Sequence, residues 1–208
     1  MKLGILGGTF DPIHLGHLLM AEVAWEGLGL SSVLFVPAGD PPHKQGVAKT
    51  PASHRVAMVE RAIAANPHFA LSPVDLERPG PHYTTDTVRL IRTQYHLSVE
   101  ECFLIIGGDS LVDLPTWHNA LELVTLCRLA VAHRPGFQPD LTELEAVIPG
   151  ISARLDWVEM PLIGVSSSEI RARVRAGRSI RYQVVEGVRE YIEQHQLYQK
   201  GDALGEVF

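Results

Sequence analysis

Cysteine is scarce in this sequence: Cys102 and Cys127 are the two in 208 residues. Neither belongs to a CxxC pair or stands near a histidine cluster, which argues against a structural zinc site, and both sit in apolar runs (EECFLII, VTLCRLA) where buried thiols are expected. Long apolar runs are missing as well. No window approaches the roughly 20 residues of a membrane span. The opening MKLGILGG interrupts its short apolar run with glycines before a signal-peptide core is reached, so a cytoplasmic protein with no membrane partner is expected. An excess of basic charge is absent too: 18 Lys and Arg against 24 Asp and Glu give a net charge of −6, which argues against a dedicated nucleic-acid binder. Two nucleotide motifs are lacking: no GxGxxG follows a strand, and no GK[ST] follows a glycine-rich loop.

What is present is an alternation of strands and helices. KLGIL (2–6), SSVLFVPAG (31–39), a strand over 69–74, CFLIIGGDS (102–110), LAVAHRPG and DWVEMPL read as strands with their turns. Helical spacing runs through 15–28, where Leu18, Leu19, Val23 and Leu28 share a face, and through 53–65, 85–95 and the end of LPTWHNALELV. Two more helices are expected near 167–176 and 183–195. This order predicts an α/β fold, a Rossmann-like doubly wound parallel sheet with helices on both faces and a C-terminal helical segment. No repeat or low-complexity linker divides residues 1–208, so one domain is expected, with a C-terminal helical subregion at about 166–198. Ligands in such sheets bind beyond the carboxyl ends of the strands. Three strands here end in turns that carry polar groups: GGTFDPIH, PAGDPPHK and GGDS.

Two constellations stand out. In GGTFDPIHLGH (7–17), Gly7 and Gly8 permit a sharp turn and a close backbone approach, while His14 and His17 fall at a helix start, where free N–H groups and the positive helix end suit an anion. A bare HxxH is weak evidence by itself, since structural histidines or a metal pair give the same pattern; the metal reading lacks a third ligand nearby. In SSSEIR (166–171), Ser166, Ser167 and Ser168 precede a helix, and Ser-x-x-Glu is a capping pattern. Capping is the simpler account of that stretch taken alone. It is compatible with a phosphate site, because a capped helix start with Arg171 in its first turns presents N–H groups, hydroxyls and a cation together.

GGTFDPIHLGHL and VSSSEIRARVRAG together resemble the two signature motifs of the nucleotidyltransferases that carry HxGH. PAGDPPHK, HYTTDTV, IIGGDS, Trp117, HRPG and YIEQHQLY extend the resemblance along the whole chain to the bacterial nicotinate mononucleotide adenylyltransferases. Three positions depart from the pattern: Ser168 where Thr is common, Val185 where Pro is common, and His118 after Trp117 where an aromatic is frequent. The resemblance implies adenylyl transfer from ATP to nicotinate mononucleotide by direct attack, with Mg²⁺ accompanying ATP. It implies that His17 and His14 act on the ATP phosphates. Gly7, Gly8, Thr9, Phe10, Ser166, Ser167, Ser168 and Arg171 would complete the ATP site. Lys44 would add charge over the reacting phosphates. The mononucleotide would meet Thr9, Lys44, Tyr83, Thr84, Thr85, Gly107, Asp109, Trp117 and Arg134. Asp109 reads equally as a helix N-cap, and Trp117 as core filling. Alternatives within the same chemistry are a phosphopantetheine-type or nicotinamide mononucleotide-preferring transferase; outside it, a non-catalytic nucleotide sensor.

Overall fold

The computed structural model describes residues 1–39, 49–133, 136–137 and 139–199. Six strands, β1 (Leu3–Gly8), β2 (Ser32–Pro37), β3 (Phe69–Leu71), β4 (Cys102–Gly107), β5 (Arg128–His133) and β6 (Leu155–Glu159), form one sheet in the order β3-β2-β1-β4-β5-β6. Every neighbouring pair is parallel. Strands buried on both faces need apolar side chains in both directions. Accordingly Leu3 and Ile5 of β1 enter one hydrophobic layer and Leu6 the other.

Helices cover both faces. One layer holds α1 (Leu15–Leu28), α2 (Ala52–Ile63), α7 (Ser167–Arg175) and α8 (Glu186–Gln194), which contribute Ala21, Ala24, Met58, Val59, Ile170, Val188 and Ile192. The other holds α3 (Thr84–Gln94), α4 (Gly108–Asp113), α5 (Ala120–Leu126) and α6 (Leu141–Val147), through Val88, Ile91, Leu111, Leu123 and Leu144. The expected doubly wound sheet and its C-terminal helices are present. Among the described residues no helix is long and apolar enough to cross a membrane.

Three local expectations are corrected. The buried line of α1 is Gly16, Ala21 and Ala24, not Leu19 and Val23, because small residues let this helix lie close over the sheet. The strand in 102–110 closes on its glycines as read, but GGDS is more than a turn: Gly108–Asp113 forms α4, which was not expected. Helix α6 was not expected, although Asp140 caps it by accepting from the N–H groups of Thr142 and Glu143. Both cysteines are buried and unpaired, and burial pushes the Cys102 thiol up to about 11, as expected of inert core thiols.

The strand order reverses between β1 and β4. Their pairing covers Leu3–Ile5 against Cys102–Leu104 and no further, after which β1 runs on to Gly8 beside β2, and β4 to Gly107 beside β5. The carboxyl halves therefore separate and open a crevice at the switch point, where ligands of this architecture bind.

Candidate active site

The chain leaves β1 through Gly7 and Gly8. Open space lies in front of Gly7, whereas a Cβ on Gly8 would fall 2.8 Å from the Phe10 ring. Phe10 adopts φ 51°, a left-handed conformation, and its ring is buried against Phe35, with the edge of His17 across it at 5.1 Å between centroids. Of Phe10, only the backbone is left for a ligand. The turn ends at His14, the N-cap of α1.

The two motif histidines stack, with ring centroids 3.7 Å apart and planes inclined by 23°. The backbone N–H of His14 donates to Nδ1 of His17 at 3.2 Å. With Nδ1 an acceptor, neutral His17 carries its proton on Nε2, the nitrogen that can then donate. Burial pushes His14 down to about 4, so it is an uncharged imidazole at neutral pH, and its buried Nδ1 has no hydrogen-bond partner among the described residues. Gly16 accommodates that ring, since a Cβ there would come within 3.0 Å of it.

The His14 shift has a consequence for stability. As pH falls, the unfolded chain takes up the proton near the ordinary 6.5, and the folded chain only near 4. The contribution of neutral His14 is therefore whole above the upper value and is lost on acidification toward the lower one, on the order of 3 kcal/mol. Urea midpoints measured across this window should fall more steeply for the wild type than for His14→Gln. Parallel profiles would remove His14 as the cause.

The serine motif closes over the same loop. Ser166 caps α7 by accepting from the Glu169 N–H at 3.2 Å. Ser167 Oγ donates to the Pro12 carbonyl at 2.9 Å, and Arg171 Nη1 to the Asp11 carbonyl at 2.7 Å. Arg171 Nη2 also reaches Ser168 Oγ at 3.4 Å. Leu15 N–H, at the start of α1, donates to the Gln183 carbonyl. The histidine and serine motifs, more than 150 residues apart in sequence, are thus one hydrogen-bonded unit.

A residue missed in the sequence holds the floor of this unit. Arg55 of α2 is 2% exposed and donates to three carbonyls: Thr50 through Nε, and Thr9 and Ala38 through Nη1, at 2.8–2.9 Å. It ties the turn after β1 to the turn after β2. Burial pulls its guanidinium below the usual value, and the Asp11 carboxylate works against that. Its position was visible in principle, because Arg55, Met58, Val59 and Ile63 form one buried helical face and an arginine on such a face must be paired.

The second group of expected residues gathers at the start of α3. Tyr83, its N-cap, stacks on His118 with centroids 3.8 Å apart. Thr85 is buried and donates to the His118 carbonyl at 2.9 Å, so its side chain joins α3 to the 117–119 turn and is not free for a ligand. Thr84 opens the helix, and Trp117 is half-buried against the core. His118, the departure noted above, thus supplies an aromatic face after all. Arg78 organises the approach: it pairs with buried Asp75 and reaches the Tyr83 carbonyl, while Thr87 donates to Asp75 at 2.6 Å. A Cβ on Gly39 would strike the Asp75 carbonyl and the His82 ring, so this loop lies directly against the end of β2.

Gly107 ends β4 and is the N-cap of α4, which corrects the N-cap reading of Asp109. Asp109 is an exposed first-turn residue at the crevice side of β4. Lys44 and Arg134 lie outside the described residues.

Residues 5–173 match the family model described as Cytidylyltransferase-like. The nicotinate-nucleotide adenylyltransferase of Thermomicrobium roseum is 52% identical over 203 residues, which span 98% of this chain and 94% of the relative. The chain belongs to the nicotinate-nucleotide adenylyltransferases. A relative of the same name from Roseiflexus is 45% identical over 94% of this chain and 97% of its own. The solved nicotinic acid mononucleotide adenylyltransferase of Plasmodium falciparum, complexed with NaAD, superimposes with a TM-score of 0.75 over 95% of this chain and 97% of that one. At 20% identity it shares the fold.

Proposed function

We propose that this chain transfers the adenylyl group of ATP to nicotinate mononucleotide, giving deamido-NAD and pyrophosphate in NAD biosynthesis, with residues 1–208 acting as one domain. The observation that carries this reading is the junction of the histidine and serine motifs at the switch-point crevice. The mononucleotide phosphate attacks the α-phosphorus of ATP directly. Such a step needs donors and cations aimed at phosphoryl oxygens, not a protein nucleophile.

Each part then has a role. His17 donates from Nε2 to the α-phosphate oxygens as charge builds there. Neutral His14 supplies a hydrogen bond to the ATP phosphates. Gly7 and Gly8 give the phosphates room, the backbone of Thr9 and Phe10 lines the turn, and Ser166, Ser167, Ser168 and Arg171 bind the triphosphate. Lys44 adds charge over the reacting phosphates. Tyr83 and Trp117 offer aromatic surface to the pyridine, and the N–H groups of Thr84 and Thr85 at the start of α3 suit its carboxylate. Exposed Asp109 suits the ribose hydroxyls, and Gly107 and Arg134 complete the mononucleotide-binding set. Mg²⁺ enters as the MgATP substrate. Asp11, the carboxylate closest in sequence to the histidines, is already engaged by Tyr198 and the Thr50 N–H, so phosphates and water hold the cation. The reading places the enzyme in the cytoplasm, as the sequence suggests.

Pyrophosphate release with MgATP and, in parallel, nicotinate mononucleotide, nicotinamide mononucleotide and phosphopantetheine tests this reading. Release with the first and little with the others is the expected result. Preference for another acceptor overturns the substrate, and ATP binding without release from any acceptor overturns the enzyme. Arg171→Ala should raise the apparent KM for ATP about tenfold or more, in line with loss of a charge-assisted contact. The KM for nicotinate mononucleotide should stay within about twofold; an unchanged ATP KM would remove Arg171 from the triphosphate site.

A further inference from the structure

The C-terminal segment YIEQHQLY (191–198) has been given no role in the reaction so far, yet its two tyrosines tie it to the elements that build the site. Tyr191, in α8, exchanges a hydrogen bond with His54 Nδ1 at 2.9 Å and lies beneath the Arg61 guanidinium, both on α2. Beyond the end of α8 the chain turns back into the core, where Leu197 and Tyr198 are 5% and 4% exposed. There the Tyr198 hydroxyl donates to Oδ1 of Asp11 at 2.6 Å. The Thr50 N–H donates to the other carboxylate oxygen at 3.2 Å. The carbonyl of that same Asp11 accepts from Arg171.

The backbone around this contact is held in an unfavourable conformation on both sides. Phe10 stands at φ 51° immediately before Asp11, and Gln196 and Tyr198 stand at 52° and 64°. Such values in residues other than glycine persist only where the surroundings over-determine them. The strained turn of the phosphate loop and the strained C-terminal turn meet through one buried carboxylate.

We propose that Tyr198 is a positioning residue for adenylyl transfer: through the Asp11 carboxylate its hydroxyl fixes the carbonyl on which Arg171 is seated. The proposal rests on the reading of Arg171 as a triphosphate-binding cation. Asp11 is 7% exposed, so water does not replace a donor that is taken away. Without the phenol, one oxygen of a buried carboxylate loses its partner. The side chain turns toward another donor and carries its own carbonyl, and with it the guanidinium. Burial and the neighbouring Asp11 carboxylate push the Tyr198 phenol above its ordinary range, so it remains a donor at any pH at which the protein would be assayed.

The test is steady-state kinetics of Tyr198→Phe, which keeps the ring and removes the hydroxyl, with MgATP and nicotinate mononucleotide. A displacement of about 1 Å in a positioned group costs up to about 100-fold, so kcat should fall about 10- to 100-fold. The KM for ATP should rise several-fold, and that for nicotinate mononucleotide should stay within about twofold. Leu197→Ala, a cavity in the same turn, should lower Tm at least as much and leave all three constants within about twofold. Asp11→Asn should show the same ATP-side defect, and the double variant should be no worse than the more damaged single one. It also supplies the answer if Tyr198→Phe does not fold. A Tyr198→Phe or Asp11→Asn enzyme with a lower Tm and unchanged constants overturns the proposal. A wild type that releases no pyrophosphate from this substrate pair overturns the underlying reading instead.

Discussion

His17→Ala should lower kcat by about 10²- to 10³-fold, the usual cost of deleting one donor aimed at developing oxyanion charge. The geometry argues for an effect confined to chemistry. The ring is partly exposed, its edge meets Phe10, and its Nδ1 is occupied by the His14 N–H. Removing it forfeits one capping contact, about 1 kcal/mol, or a Tm change of a few degrees for a chain of this size. Saturating both substrates separates a loss of chemistry from a loss of binding. Stopped-flow turnover and a thermal melt on the same preparation check both halves. A kcat within about threefold of wild type would mean that the Nε2–H does not face the reacting phosphate.

Arg55→Met should be the most destabilising substitution near the site. The stem keeps its volume, but three carbonyls from three separate segments lose their donor at once. Each buried acceptor left unpaired costs about 1–3 kcal/mol, and a total near 4 kcal/mol corresponds to a Tm lower by about 10 °C. Activity should fall with it even well below Tm, because the Thr9 and Ala38 carbonyls belong to the turns after β1 and β2 that flank the crevice. Arg55→Lys keeps a charge but not the fork, and should recover only part of the loss. Differential scanning calorimetry decides the matter. A Tm within about 2 °C of wild type would show that the three carbonyls find other partners.

The contrast between these two residues shows how the sequence encodes the site. His17 was legible because the chemistry and the fold both mark it: glycines, a helix start and a matching serine motif sit in one-dimensional patterns. Strand-ending glycines also gave the crevice, since Gly8 and Gly107 fall at the carboxyl ends of the two strands that separate. The supports were harder to read. Arg55 looks like an ordinary helical arginine until the neighbouring face is seen to be buried, and Asp11 and Tyr198 are 187 positions apart. The tie of the buried Thr85 hydroxyl to the His118 carbonyl was equally out of reach, because only tertiary packing decides which way a helix-start hydroxyl points. Short elements failed for a related reason: GGDSLVD was read as a turn, and its few apolar residues are too short a run to mark the six-residue α4 that forms. Long-range contacts carry no local signature, so motif residues are read first and their supports last.

The central claim is that the crevice between β1 and β4 orients two substrates for a single direct displacement at the α-phosphorus. Turnover of the Sp isomer of adenosine 5′-O-(1-thiotriphosphate) with nicotinate mononucleotide, followed by assignment of the configuration at phosphorus in the dinucleotide product, tests it most directly. Inversion is the predicted result. Retention would require an enzyme-bound adenylyl intermediate, and the histidines would have to be reassigned from donors to nucleophiles.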